Sequence, residues 1–244
     1  MIYDKKEIRA ILNEYSKKDP EDAYHMRSKL QCWRFEKQIR LCAKMIPKNS
    51  KVLDIGCGWG HVGAVLSMMR PDLRIVCIDN QKLSIWEKLK KFKLKLERGD
   101  ALHLRFKNNS FDSVIAFGVM EHVSDDKKFL KEIYRVSKKG AINFIFNLPN
   151  KFALNEFGAK LLGIGYHDKM YTKKHIKELF EQVGGFKIIK IGREFLIPAQ
   201  VNRISKWLNK CFDKHYMFID KLDDFLISTP LNLFAEAYYV IYRK

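Results

Sequence analysis

Val52-Leu53-Asp54-Ile55-Gly56-Cys57-Gly58-Trp59-Gly60 runs a short apolar segment straight into glycines at alternate positions, and its reading decides the fold. Val52 to Ile55 has the composition of a buried strand. Gly56, Gly58 and Gly60 then let the backbone turn sharply and approach a ligand where a Cβ would collide. Such a loop at the carboxyl end of a parallel strand is where open α/β sheets bind small molecules. The spacing narrows the ligand. A dinucleotide fingerprint needs a glycine at 61, where His61 stands, and a phosphate-binding Gly-Lys-Ser/Thr is absent.

Outward from this loop, β-rich runs alternate with helical ones. Strands are expected at 52–55, 74–79, 93–97, 111–117, 141–146, 186–191 and 237–242, the fourth apolar throughout as for a strand covered on both faces. Helices are expected from the loop to about Met69, over 82–91, over 127–137, and over 172–183 with Thr172 as N-cap. Upstream, Ile8, Ile11, Leu12 and Tyr15 fall on one helical face, Trp33 to Met45 suggest a second helix, and Asp19-Pro20 separates the two. The expected fold is therefore α/β: a Rossmann-like, seven-stranded, mostly parallel sheet with helices on both faces, an N-terminal helical extension and a helical insertion before the last strand. The boundaries drawn are 1–46 for a helical cap, 47–197 for the ligand-binding core, 198–233 for the insertion as a lid or a further helical layer, and 234–244 for the last strand.

Composition removes several classes of function. The 244 residues suit one domain with additions. Five cysteines form neither a Cys-x-x-Cys pair nor an even ladder, which reads as reduced thiols and no metal site. No uninterrupted apolar run spans a membrane, and the charged start Met1-Ile2-Tyr3-Asp4-Lys5-Lys6 has no signal-peptide core. A cytoplasmic location is expected, with a peripheral place at the membrane left open. The net charge of +18 invites a nucleic-acid reading. The excess is spread along the chain and is mostly lysine, however, and the run Lys88 to Leu96 reads as a solvated face, so nucleic acid is not the favoured partner.

Asp54-Ile55-Gly56-Cys57-Gly58-Trp59-Gly60 resembles motif I of the class I S-adenosylmethionine-dependent methyltransferases, and further motifs follow in that family's order over residues 50 to 191. Phe117-Gly118-Val119-Met120-Glu121-His122 and the Tyr171-Thr172 helix start are similar to its ubiquinone-biosynthesis-like, small-molecule branch. The resemblance implies S-adenosyl-L-methionine as cofactor. It places Asp54, Gly56, Cys57, Gly58 and Gly60 around it, Asp79 and Asn80 at the ribose, Asp100 and Ala101 at the adenine, and Phe117 at the end of strand four. A ring-facing N–H would come from Ala101 or Leu102. Trp59 either packs on a helix or borders the cofactor, and Cys57 also reads as a small buried filler.

For the chemistry, His122 is the candidate general base, because an imidazole titrates near neutrality and follows strand four. Glu121 would orient it or bind the acceptor. The alternative for both is a polar helix start capped by Asp125. His25, His61, His103, His167 and His215 read as structural or surface residues. Phe117-Gly118-Val119-Met120 departs from the Asn/Asp-Pro-Pro-aromatic tetrapeptide of many amino-group methyltransferases, which argues against exocyclic amines. Asn147-Leu148-Pro149-Asn150 would turn the chain at the sheet top. The leading reading is methyl transfer to a small-molecule, lipid-linked or glycan-precursor acceptor. An RNA methyltransferase and a non-catalytic cofactor-binding partner subunit are the competing ones. Oligomeric state and acceptor atom are not legible.

Overall fold

A computed structural model describes residues 1–18, 26, 28–162, 167, 169–199 and 205–244. The chain-order elements are α1 (Lys6–Lys18), α2 (Lys29–Met45), β1 (Lys51–Ile55), α3 (His61–Met69), β2 (Arg74–Asp79), α4 (Trp86–Leu89), β3 (Lys95–Arg98), β4 (Ser113–Phe117), α5 (Asp126–Val136), β5 (Ile142–Pro149), α6 (Leu154–Leu162), α7 (Lys173–Val183), β6 (Lys187–Glu194), α8 (Lys206–Ile227) and β7 (Ala237–Arg243). Asp19-Pro20, His25 and residues 200–204 of the expected insertion lie outside the described residues.

The strands form one seven-stranded sheet in the order β3-β2-β1-β4-β5-β7-β6, parallel except that β7 runs against both neighbours. Alternate residues leave opposite faces of each strand. Val52, Ile75, Cys77 and Ile115 face a core shared with Ile8, Ile11, Phe35, Ile39, Val62 and Leu66 of α1 to α3. Their neighbours Leu53, Val76, Ile78 and Val114 face Phe129, Leu130, Ile133, Ile176 and Phe180 of α5 and α7. Both faces are therefore dry. Chain order reverses between β1 and β4, so a crevice opens above their carboxyl ends.

Helix starts follow local chemistry. Asp125 accepts the Lys128 N–H at 2.9 Å and caps α5, and Thr172 accepts the His175 N–H at 3.1 Å and caps α7. α5 then buries Phe129, Leu130, Ile133 and Val136 completely, each contributing about 1.5–3 kcal/mol of transfer free energy.

Three expected elements differ. The helix over 82–91 shrinks to α4 and a 3-10 turn, Lys90–Phe92, with buried apolar anchors at Ile85, Trp86 and Leu89 and none among Lys90 to Phe92. Lys93 is left-handed (φ 58°), so β3 starts at Lys95 and not at 93. Phe111 stays outside β4: its N–H goes to Val136 O and it bridges Ser137, tying the strand entry to the end of α5.

Candidate functional site

The glycine loop is braced before any ligand arrives. Gly56 has φ +64°, and a Cβ there would stand 2.4 Å from a Val119 methyl, so the turn against β4 admits only glycine. Gly58 has φ +51° and open space around its missing Cβ, which leaves the backbone bare toward the crevice. Its N–H donates to Asp79 Oδ2 at 2.8 Å, and its carbonyl accepts the Trp86 indole N–H at 2.8 Å. Asp79 Oδ1 accepts the Gln81 N–H at 3.0 Å. Each carboxylate oxygen has about two acceptor sites, so one on each remains for a ligand.

Asp79 lines a cavity of about 510 Å³ together with Gly56, Gly58, Asn80, Asp100 and Ala101. Asp100 is turned partly to its own loop: Oδ1 accepts the Leu102 N–H at 2.8 Å and Oδ2 pairs with His103 Nδ1 at 2.7 Å. That pairing with His103 holds its carboxyl below the ordinary range. Leu102 has thus spent its N–H, leaving Ala101 as the candidate for the ring-facing one.

A second chamber of about 380 Å³ adjoins the first, sharing Gly56, Gly58, Gly118 and His122. Cys57, Phe117 and Glu121 line it. His122 is exposed on this boundary, and burial of its inner part, with His167 and Lys169 nearby, lowers its pKa below the usual value. An imidazole so placed is neutral at pH 7 and able to accept a proton. Glu121 is 4% exposed, its Oε1 lies 3.8 Å from His122 Nε2, and burial pushes its carboxyl up to about 7. That distance is too long for a hydrogen bond, so Glu121 does not fix the ring's orientation.

Asp54 and Gly60 do not line either space. Asp54 is 1% exposed beneath the loop, where its carboxyl receives the Gly63 N–H, one of the free donors at the start of α3. Burial pushes its pKa up to about 8, against the opposing pull of that N–H. A Cβ on Gly60 would meet Leu89 at 2.6 Å, so this glycine serves packing. Both were expected at the cofactor; the structure makes them its foundations.

Several lining residues carry no motif. Tyr15 from α1 borders the first cavity and stacks on Trp59 at 4.9 Å, while His61 stacks on the other side of Trp59 at 4.2 Å. Trp59 therefore both packs on a helix and lines the chamber. Phe35, Glu156, His167, Phe195 and Glu236 complete the chamber with Asn147 and Pro149. His167, read as structural, faces this space and pairs with Glu156 at 2.7 Å, an interaction that raises the imidazole pKa and lowers that of the carboxyl. None of Phe35, Glu156, His167, Phe195 and Glu236 belongs to a motif of the sequence; they come from segments far apart in the chain.

A family profile described as a methyltransferase domain matches residues 53–145. The demethylmenaquinone methyltransferase of Lactobacillus johnsonii is 36% identical over 170 residues, covering 57% of this chain and 68% of that protein. The ubiquinone biosynthesis O-methyltransferase of Pelagibacter ubique is 38% identical over 132 residues, covering 50% of this chain and 54% of that one. Among the first-matching curated relatives, sterol 24-C-methyltransferases included, the chain spans about half their length or less. The solved structure of a SAM-dependent methyltransferase from Aquifex aeolicus superposes with a TM-score of 0.58 at 15% identity, covering 95% of this chain and 97% of that chain, a likeness of fold.

Proposed function

Since the chain belongs to the class I S-adenosylmethionine-dependent methyltransferase family, we propose that it moves the methyl group of S-adenosyl-L-methionine to a nucleophilic atom of a small-molecule or lipid-type acceptor held in the second chamber. The observation that carries this is Asp79. It braces the bare Gly58 backbone and keeps acceptor capacity toward the cavity, as a pair of ribose hydroxyls requires. Asn80, Asp100 and Ala101 extend that wall toward where a base would lie.

When bound, the sulfonium supplies an electrophilic methyl, so the protein needs to bind, align and exclude water. The shared border at Gly56, Gly58, Gly118 and His122 sets the two compartments side by side for in-line displacement. Neutral His122, on the border of the two spaces, would take the proton that the acceptor atom gives up. Glu121 lines the second chamber and offers its carboxyl to the acceptor. Phe117, stacked on Phe146 at 4.7 Å and on Phe35 at 6.2 Å, gives the chamber a flat apolar floor suited to a ring or chain.

The test is calorimetry with the donor and its demethylated product, followed by incubation with donor labelled on its methyl and fractionated cell extract. Heat on binding and label in the small-molecule or lipid fraction are expected. No heat from folded protein overturns the donor assignment; label in RNA overturns the acceptor class; tight binding without transfer to any fraction indicates a non-catalytic subunit.

A further inference from the structure

Helix α8 is assembled inside out. Its acids turn inward onto α2: Asp220 Oδ2 accepts from Trp33 Nε1 at 2.8 Å and Lys37 Nζ at 2.9 Å, and Asp223 Oδ2 stands 3.2 Å from the buried Arg34 guanidinium. Asp213 Oδ1 accepts the Lys29 N–H that opens α2. The opposite side shows Trp207, Phe218 and Phe225 at 71%, 69% and 64% exposure, with Met217 and Leu222 beside them. Phe218 and Phe225, seven residues apart, return to one face at 3.6 residues per turn, and Trp207 lies on the other side of a kink at His215 (φ −114°, ψ 21°). Exposed Lys206, Lys210 and Lys214 recur at four-residue steps beside Trp207 before the kink, and exposed Lys221 stands next to Leu222 beyond it.

The apolar surface does not stop with α8. Leu231, Leu233 and Phe234 of the following 3-10 turn, Pro230–Phe234, are also exposed. Phe234 lines a groove of about 490 Å³ with Phe152, Leu154, Phe157 and Met170, and this groove meets the second chamber at Glu156 and His167.

We propose that the outer face of α8 docks on an anionic lipid bilayer, laying the mouth of this groove against the membrane. Aromatic and aliphatic side chains beside a lysine row are the chemistry of an interfacial helix, with the rings entering the headgroup boundary and the ammonium groups meeting lipid phosphates. A second copy of this chain fits less well, since a self-complementary contact would set the lysine rows of two strongly basic molecules together. Nucleic acid fits less well because Met217, Leu222, Leu231 and Leu233 have no planar face on which bases stack. The groove as a path for an acceptor's apolar chain rests on the proposed methyl transfer; the docking does not.

The full chain is spun with vesicles of phosphatidylcholine alone or mixed with phosphatidylglycerol, without methyl donor, so the outcome is separate from that of the calorimetry. Sedimentation with the mixed vesicles is expected, weakening as salt is raised. Tryptophan emission shifts to the blue on binding, and in Trp207→Phe that shift is reduced while sedimentation persists. Phe218→Ser/Phe225→Ser is expected to lower partition by about tenfold or more at unchanged Tm, since both rings stand in water. A chain that stays in the supernatant with mixed vesicles overturns the proposal, as does a double variant that sediments like the parent. A dimer split by that double variant, or RNA retention abolished by it in a chain that ignores vesicles, assigns the face elsewhere and overturns it as well.

Discussion

Replacing Asp79 by asparagine separates its two tasks. The carboxylate makes two loop bonds, to Gly58 N–H at 2.8 Å and Gln81 N–H at 3.0 Å, and has one acceptor site left on each oxygen. A carboxamide oxygen can serve one of those N–H groups, while its NH2 meets the other donor head-on. One loop bond is lost, about 1 kcal/mol of stability, which for a chain of this size moves Tm by about 2–4 °C. Toward a ribose, one charge-assisted bond disappears, about 1.5–3 kcal/mol, and the other weakens by about 1 kcal/mol as it becomes neutral. The sum, about 2.5–4 kcal/mol, raises the Kd for S-adenosyl-L-methionine by roughly two to three orders of magnitude. Calorimetric titration of parent and variant reads this directly, with Tm as the control for the loop. A Kd within about threefold of the parent, alongside the expected Tm shift, would show that this carboxylate braces the loop and nothing more.

Two further outcomes follow from the titrating groups. His122→Ala should lower turnover by about a hundredfold or more with donor affinity retained, and the parent's activity should fall away on the acid side below the usual histidine range, as the lowered pKa requires; a loss of only a few fold would remove the proton-accepting role. Asp54 has its pKa raised from its ordinary value to about 8, so its contribution to folding is full at low pH and is lost as pH rises through that range. Asp54→Asn should therefore flatten the decline in Tm between about pH 4 and 8, and an unchanged slope would assign that decline to other groups.

The sheet was legible because strands buried on both faces read as apolar runs and glycine loops separate them from helices; β1, β2 and β5 lie close to where their compositions place them. The segment from Lys88 to Lys95 was not, since lysine tolerates helix, turn or strand edge alike, and only the anchoring of Trp86 and Leu89 and the left-handed Lys93 decide it. The loop that lines the first cavity was readable as a short motif, because it is local. The second chamber draws Phe35, Glu156, His167, Phe195 and Glu236 from distant segments, and no spacing encodes a wall assembled by tertiary packing. Asp54 shows the opposite difficulty: a motif position was given to the ligand although its carboxyl caps α3 from below. A helical insertion was expected over 198–233, but which face of α8 meets the protein is set by the ion pairs with α2 that only the folded chain brings together.

That reversal changes what a substitution costs. On most surface helices a charged side chain can be exchanged freely and an aromatic one only at a cost, but on α8 the order is inverted. Alanine at 223 would strand the Arg34 guanidinium in a dry setting, a loss of about 3–5 kcal/mol, whereas polar residues at 207, 218 or 225 would leave the fold intact. Engineering this protein for crystallisation or higher concentration should therefore begin at its rings and leave its carboxylates alone.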